Sequence, residues 1–329
     1  MRSLFTLTLL SLHLIASASG QSVEPSTETL DRVLAEFQEY SGAELVFRRD
    51  DLPAGRYHDV LKPLPTAGLA QAASACLREV RMYPPGYFGQ LGLRKIGFFA
   101  ACVSRTSDGA RRTRDPQLGG YRYFGVYNGH DAIAIAMYSD GQMALTFHHE
   151  TFHHIDSTEN GETAAWILGS DDAFYRAALR GDRPHRPPTI MPEDLEALKK
   201  ARKGFVLKEI VSEYAARNPR EDQAETARHL MSMLPDSLVQ CIEQPNLAGS
   251  QRLLHVIGEM KSSVPGGPDF DWLVDVALER ADRQTYALPT QELIRRLQEF
   301  VAGEAASNQS EAKAVRAIIR ELPKRCDHA

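Results

Sequence analysis

The sequence predicts an α+β protein, with a small mixed sheet first, two chemistry-bearing helices in the middle and a mainly helical C-terminal part. Three observations carry this. Strand-like runs rich in Ile, Val, Phe and Tyr fall before residue 140. A segment around His149 has helical periodicity, with its polar and apolar residues on separate arcs. From Pro192 onward nearly the whole chain reads as helix, broken at Pro235, at Pro245 and around 264–268.

The elements follow in order. Arg2, the apolar stretch from Leu4 to Ile15 and the small residues Ala16 to Gly20 have the pattern of a secretory signal peptide, cleaved after Ala18 or Gly20. An uncleaved anchor is the alternative, but the apolar stretch is short against the roughly 20 residues that a bilayer needs. We therefore expect a signal peptide over 1–20, followed by a first domain over 21–235 and a helical region over 236–329, secreted or periplasmic, with no stable membrane insertion after cleavage.

Leu30, Val33, Leu34 and Phe37 recur at helical spacing, and a short strand covers 44–47. Helix is predicted from Thr66 to about Val80, and strand from Lys95 to Ser104. Two β-like runs, 121–127 and 132–138, flank Asn128-Gly129-His130-Asp131, a hairpin signal. The chain is 43% hydrophobic over 329 residues, enough for a sizeable core, and its net charge of −5 argues against a general nucleic-acid binder.

Four cysteines, Cys76, Cys102, Cys241 and Cys326, all lie after the leader. An even count in an exported chain suggests two disulfides, with three connectivities open. Pairing within each half, Cys76 with Cys102 and Cys241 with Cys326, is preferred; free buried thiols are the alternative.

The chemistry concentrates in His149-Glu150-Thr151-Phe152-His153, an H-E-x-x-H arrangement. Residues four apart stack on one helix face, so both imidazoles can reach one ion, and the intervening glutamate can take a proton from water. Ala144, Leu145, Phe152 and Ile155 form the packing arc; Thr146, His149, Glu150, His153 and Ser157 face a cleft. His148 falls in the packing arc as a core histidine, while His154 points elsewhere, exposed or behind a ligand.

A catalytic zinc takes three protein ligands and keeps one open position. Downstream, Asn218 and Pro219 suit a helix start, which puts Glu221 and Glu225 one turn apart on one face. Glu221 then reads either as the third ligand or as the far half of a capping box with Asn218. Asp222 and Glu225 remain alternative ligands.

These two segments together resemble the anthrax lethal factor-like zinc metallopeptidases, whose third ligand is a glutamate. The family pattern His-Glu-x-x-His-x-x-Asp is met by His149, Glu150, His153 and Asp156. Its later pattern Tyr-x-x-x-Asn-x-x-Glu-x-x-Ala-Glu is met by Tyr214, Asn218, Glu221, Ala224 and Glu225. The resemblance implies a zincin-like metallopeptidase fold over 21–235, one Zn2+ on His149, His153 and Glu221, and Glu150 as general base. It implies Tyr214 as oxyanion donor, Glu225 and Asp156 as supports behind the ligands, and a peptide or protein substrate. By analogy with that architecture, the run 132–138 is expected to be an edge strand that holds an extended substrate. Phe152 departs from the glycine that the family commonly has before its second histidine. A catalytically inactive, zinc-stabilised exported binding protein is the alternative function.

Overall fold

The computed structural model describes residues 27–55, 57, 60–105, 114–115, 117–138, 140–159, 207, 211–212, 214–217 and 219–282. The expected signal peptide, Asn218, Cys326 and the end of the helical region lie outside these residues. The chain is a mixed α+β structure built on one seven-stranded sheet.

The sheet is organised around β3 (Lys95–Ser104), a run of Ile, Phe, Ala and Val that is buried along most of its length. Its first half is flanked by β1 (Glu44–Val46) and β7 (Ala132–Ala136), both parallel to it. Its second half is flanked by the antiparallel β2 (Val60–Pro63) and β5 (Gly120–Tyr123). The two-residue β4 (Arg114–Asp115) pairs with β5, and β6 (Gly125–Tyr127) pairs antiparallel with β7. The strand-like run 121–127 is therefore divided at Phe124 between two partners.

The predicted hairpin forms. Asn128 Oδ1 accepts the backbone N–H groups of His130, Asp131 and Ala132 at 2.9, 3.0 and 3.0 Å. Gly129 takes φ +89°, which a side chain would resist. One expectation needs correction. The strand 132–136 is interior, between β3 and β6, and β6 is the edge strand. Local alternation cannot reveal sheet order, and the tight hairpin is what brings β6 outside β7.

β7 separates the two faces by side-chain size. Ile133 and Ile135 enter the main core, whereas Ala132, Ala134 and Ala136 face a smaller cluster with Val46, Leu52, Phe99 and Cys102. The main core lies between the isoleucine face and the helices. These are α1 (Thr27–Ser41), α2 (Thr66–Val80), the short α3 (Tyr87–Gln90), α4 (Asp140–Glu159), α5 (Pro219–Ser232), α6 (Leu234–Glu243), α7 (Ala248–Ser262) and α8 (Phe270–Asp282). Leu253, Leu254, Ile257 and Leu273 are fully buried in it, and Val276 is buried too. The described part of the C-terminal region thus shares one core with the sheet. No described helix is long and apolar enough to cross a membrane.

The expected Cys76–Cys102 disulfide is absent; Cys76, Cys102 and Cys241 are free and buried. Cys76 sits in the main core and Cys102 in the cluster on the other face of the sheet. A register shift between Lys62 and Pro63, whose partners are Ala101 and Phe99, leaves Ala100 as the extra residue on β3. That bulge puts Phe99 and Cys102 on the same face, away from α2.

Candidate metal centre

β7 runs into α4, and α4 carries the H-E-x-x-H residues along the face that meets α5 and β6. The predicted packing arc holds: Ala144, Leu145, Phe152 and Ile155 are all buried. The imidazoles of His149 and His153, one turn apart, stand perpendicular with ring centroids 4.6 Å apart. Their Nε2 atoms approach to 3.1 Å.

Glu221 comes from the first turn of α5, which starts at Pro219 as expected. Its Oε2 lies 3.3 Å from His149 Nε2 and 3.4 Å from His153 Nε2. Three donor atoms thus form a triangle with edges of 3.1, 3.3 and 3.4 Å. Ligand atoms held about 2.0 Å from a tetrahedral ion are separated by about 3.3 Å, so the triangle has the size that zinc requires. These three residues form a His-His-Glu group within metal-binding distance.

A carboxylate stands behind one corner of the triangle. Glu225, one turn beyond Glu221, places Oε1 3.0 Å from His149 Nδ1. With the ring proton on Nδ1, His149 Nε2 offers a lone pair to the centre. Glu225 Oε2 in turn accepts from Ser212 Oγ at 2.6 Å and from Arg228 Nη2 at 2.5 Å. Burial works against charge on Glu225, but Arg228 and His149 outweigh it and hold the carboxyl below its ordinary range.

The electrostatics favour positive charge at the centre. Burial disfavours a charged His149, yet Glu221 and Glu225, with Glu150 nearby, push its pKa up to about 10. Glu221 is likewise held far below the usual carboxylate range, because both imidazoles overcome its burial. Two imidazole nitrogens and a carboxylate oxygen converging at this distance repel one another unless positive charge, from shared protons or a metal ion, lies between them. The donor set fits zinc.

Glu150 is buried on the same helix face, between the two histidines in sequence. Burial raises its pKa, against the lowering effects of His149, His153 and the Tyr127 backbone N–H. Tyr214, in the turn before Ala215–Arg217, donates its hydroxyl to Glu221 Oε1 at 3.2 Å. Its ring lies 5.9 Å from that of His149 and beneath the Arg217 guanidinium, 4.8 Å from the centroid.

Asp156 is placed against Arg220, whose Nε donates to its Oδ2 at 3.1 Å. It ties α4 to the residue preceding Glu221. His148 is a core histidine as expected, between Tyr83 and Glu79. His154 is 1% exposed and shares a 2.9 Å hydrogen bond with the Leu91 carbonyl, so of the two positions expected for it the exposed one is excluded.

Sequence reasoning missed Ser212 and Arg228 on Glu225, the buried Asp222–Arg252 ion pair between α5 and α7, and the contact of β6 with Glu150. The three-residue spacing of Glu225 and Arg228 was a usable signal. The others join segments far apart in sequence and leave no local trace. Comparisons of the chain with protein-family models, with curated proteins and with solved structures find no match.

Proposed function

We propose that the protein is an exported zinc metallopeptidase with a zincin-like catalytic region, in which His149, His153 and Glu221 hold the metal. The observation that carries this reading is the triangle of ligand atoms, with edges of 3.1–3.4 Å, beside a buried glutamate on the same helix face. The resemblance of the two sequence segments to the lethal factor-like metallopeptidases points the same way.

A zinc ion bound there would act as a Lewis acid on the scissile carbonyl and make water more acidic. Glu150 accepts a proton from the water that attacks the carbonyl carbon. As the C–N bond breaks, Glu150 returns that proton to the leaving amine. The Tyr214 hydroxyl donates to the oxyanion, and its bond to Glu221 holds it at the site beforehand. Glu225, fixed by Ser212 and Arg228, keeps His149 in the tautomer that points Nε2 inward. β6, rather than β7, is the outer strand on this side of the sheet.

Digestion of an unfolded protein such as casein tests the reading. Wild type is expected to hydrolyse it, to stop with a chelator and to recover with zinc. Glu150→Gln is expected to lose about 10²–10⁴-fold in rate with zinc still bound, and Tyr214→Phe about 10²–10³-fold. Zinc bound without hydrolysis of any unfolded substrate would instead favour a metal-stabilised binding protein. N-terminal sequencing of exported protein is expected to begin at Ser19 or Gln21; an intact Met1 would overturn export with cleavage.

A further inference from the structure

We infer that Gly125 is a positioning residue, whose missing side chain lets β6 lie close enough to α4 for the Tyr127 amide to hold the Glu150 carboxylate. The inference rests on the reading of Glu150 as the general base and adds the device that aims it.

Backbone geometry comes first. Asn128 donates its N–H to Ala132 O at 2.9 Å, and Ala136 donates to Phe124 O at 2.7 Å. Even-numbered residues of this segment therefore turn their backbone groups towards β7, and Gly125 and Tyr127 turn theirs off the sheet edge. The outward N–H of Tyr127 is the backbone group that favours the charged form of the Glu150 carboxyl. In register, Gly125 lies opposite Ile135 and Tyr127 opposite Ile133, so both face the α4 side of the sheet.

The closeness of that approach is measurable. A Cβ at position 125 would stand 2.5 Å from Thr146 Cγ2 and 2.9 Å from both Glu150 Cγ and Glu150 Oε1. Real Cβ atoms do not come that near, so something must shift. Thr146 has little freedom, because it is β-branched and its Oγ1 accepts from Gln142 Nε2 at 2.6 Å. The yielding parts are the Glu150 side chain and β6 itself. Either movement separates the carboxylate from the Tyr127 amide. Tyr127 anchors the strand from the other side, with its hydroxyl 2.8 Å from Ser157 Oγ two turns further along α4. Glu150 is thereby gripped between its own helix and the edge strand.

Two readouts on the full-length protein test this. The first is kinetic: Gly125→Ala is expected to lower kcat on casein about tenfold or more, with KM within about threefold and zinc content unchanged. The second needs no activity. Gly125→Ala is expected to lower Tm by about 3–10 °C in the wild-type background. It should cost less than half of that in Thr146→Ser/Glu150→Ala, which lacks the three atoms that an alanine would meet. An equal loss of Tm in both backgrounds would overturn the inference, and so would an unchanged kcat. A wild type that hydrolyses nothing would sink the peptidase reading alone, while the stability comparison still decides whether β6 is seated on Glu150.

Discussion

The two faces of α4 each carry a buried histidine beside carboxylates and a tyrosine, yet their chemistry differs. On the core face, His148 has Tyr83 Oη 2.9 Å from Nδ1 and Glu79 Oε2 3.1 Å from Nε2. Each ring nitrogen meets a group that can complement it, and the tyrosine is fully buried in an aromatic cluster with Tyr87, Phe88 and Phe147. On the other face, His149 places Nδ1 3.0 Å from Glu225 Oε1 and Nε2 within 3.1–3.3 Å of His153 Nε2 and Glu221 Oε2. Burial and polar residue types are the same on both faces. What distinguishes the His149 face is three ligand-type atoms within metal-binding distance of one another.

That comparison can be broken in four ways, from the largest effect to the smallest. His153→Ala removes one corner of the triangle and is expected to weaken zinc binding by more than about 100-fold, beyond what loss of a supporting residue costs. Competition with a metal-responsive dye measures it, and near-normal affinity would dissolve the distinction between the faces. Glu225→Gln keeps all three corners but loosens the His149 tautomer, so the same titration is expected to show about 10–100-fold. Glu79→Ala acts on the other face: it strips His148 of its carboxylate and is expected to cost about 1–3 kcal/mol in stability by denaturant unfolding, with zinc content unchanged. Tyr83→Phe, which takes away one hydroxyl, is expected to cost about 1 kcal/mol and likewise no zinc. Metal loss in either of these last two would mean that the faces are coupled.

Much of α4 was legible in the sequence because a helix writes its faces at a fixed period. The apolar arc of Phe152 and Ile155, the core position of His148 and the separate face shared by His149 and His153 all follow from 100° per residue. The start of α5 at Pro219 was equally readable, since the first helical turn has its own residue preferences. The strand Lys95–Ser104 and the helix Thr66–Val80 also stood out as uninterrupted runs.

What stayed hidden depends on pairing between distant segments. The order of β7 and β6 is set by a hairpin and by which strand β3 receives, so the edge fell one strand further out. Cys76 and Cys102 sit on opposite faces of the sheet because of a bulge at Ala100, and neither spacing nor count encodes a bulge. Gly125 reads as an ordinary strand interruption until the helix beside it is in place. Mass spectrometry after alkylation in denaturant without reductant is expected to find Cys76, Cys102 and Cys241 as thiols; a Cys76–Cys102 cross-link would contradict this sheet arrangement.

The most direct test of the central claim is the zinc content of purified protein against that of Glu221→Ala, at equal folding by circular dichroism. Near one zinc per chain in the wild type and clear loss in the variant is the predicted result. Zinc retained in both, or absent from both after reconstitution, would contradict a centre built on His149, His153 and Glu221.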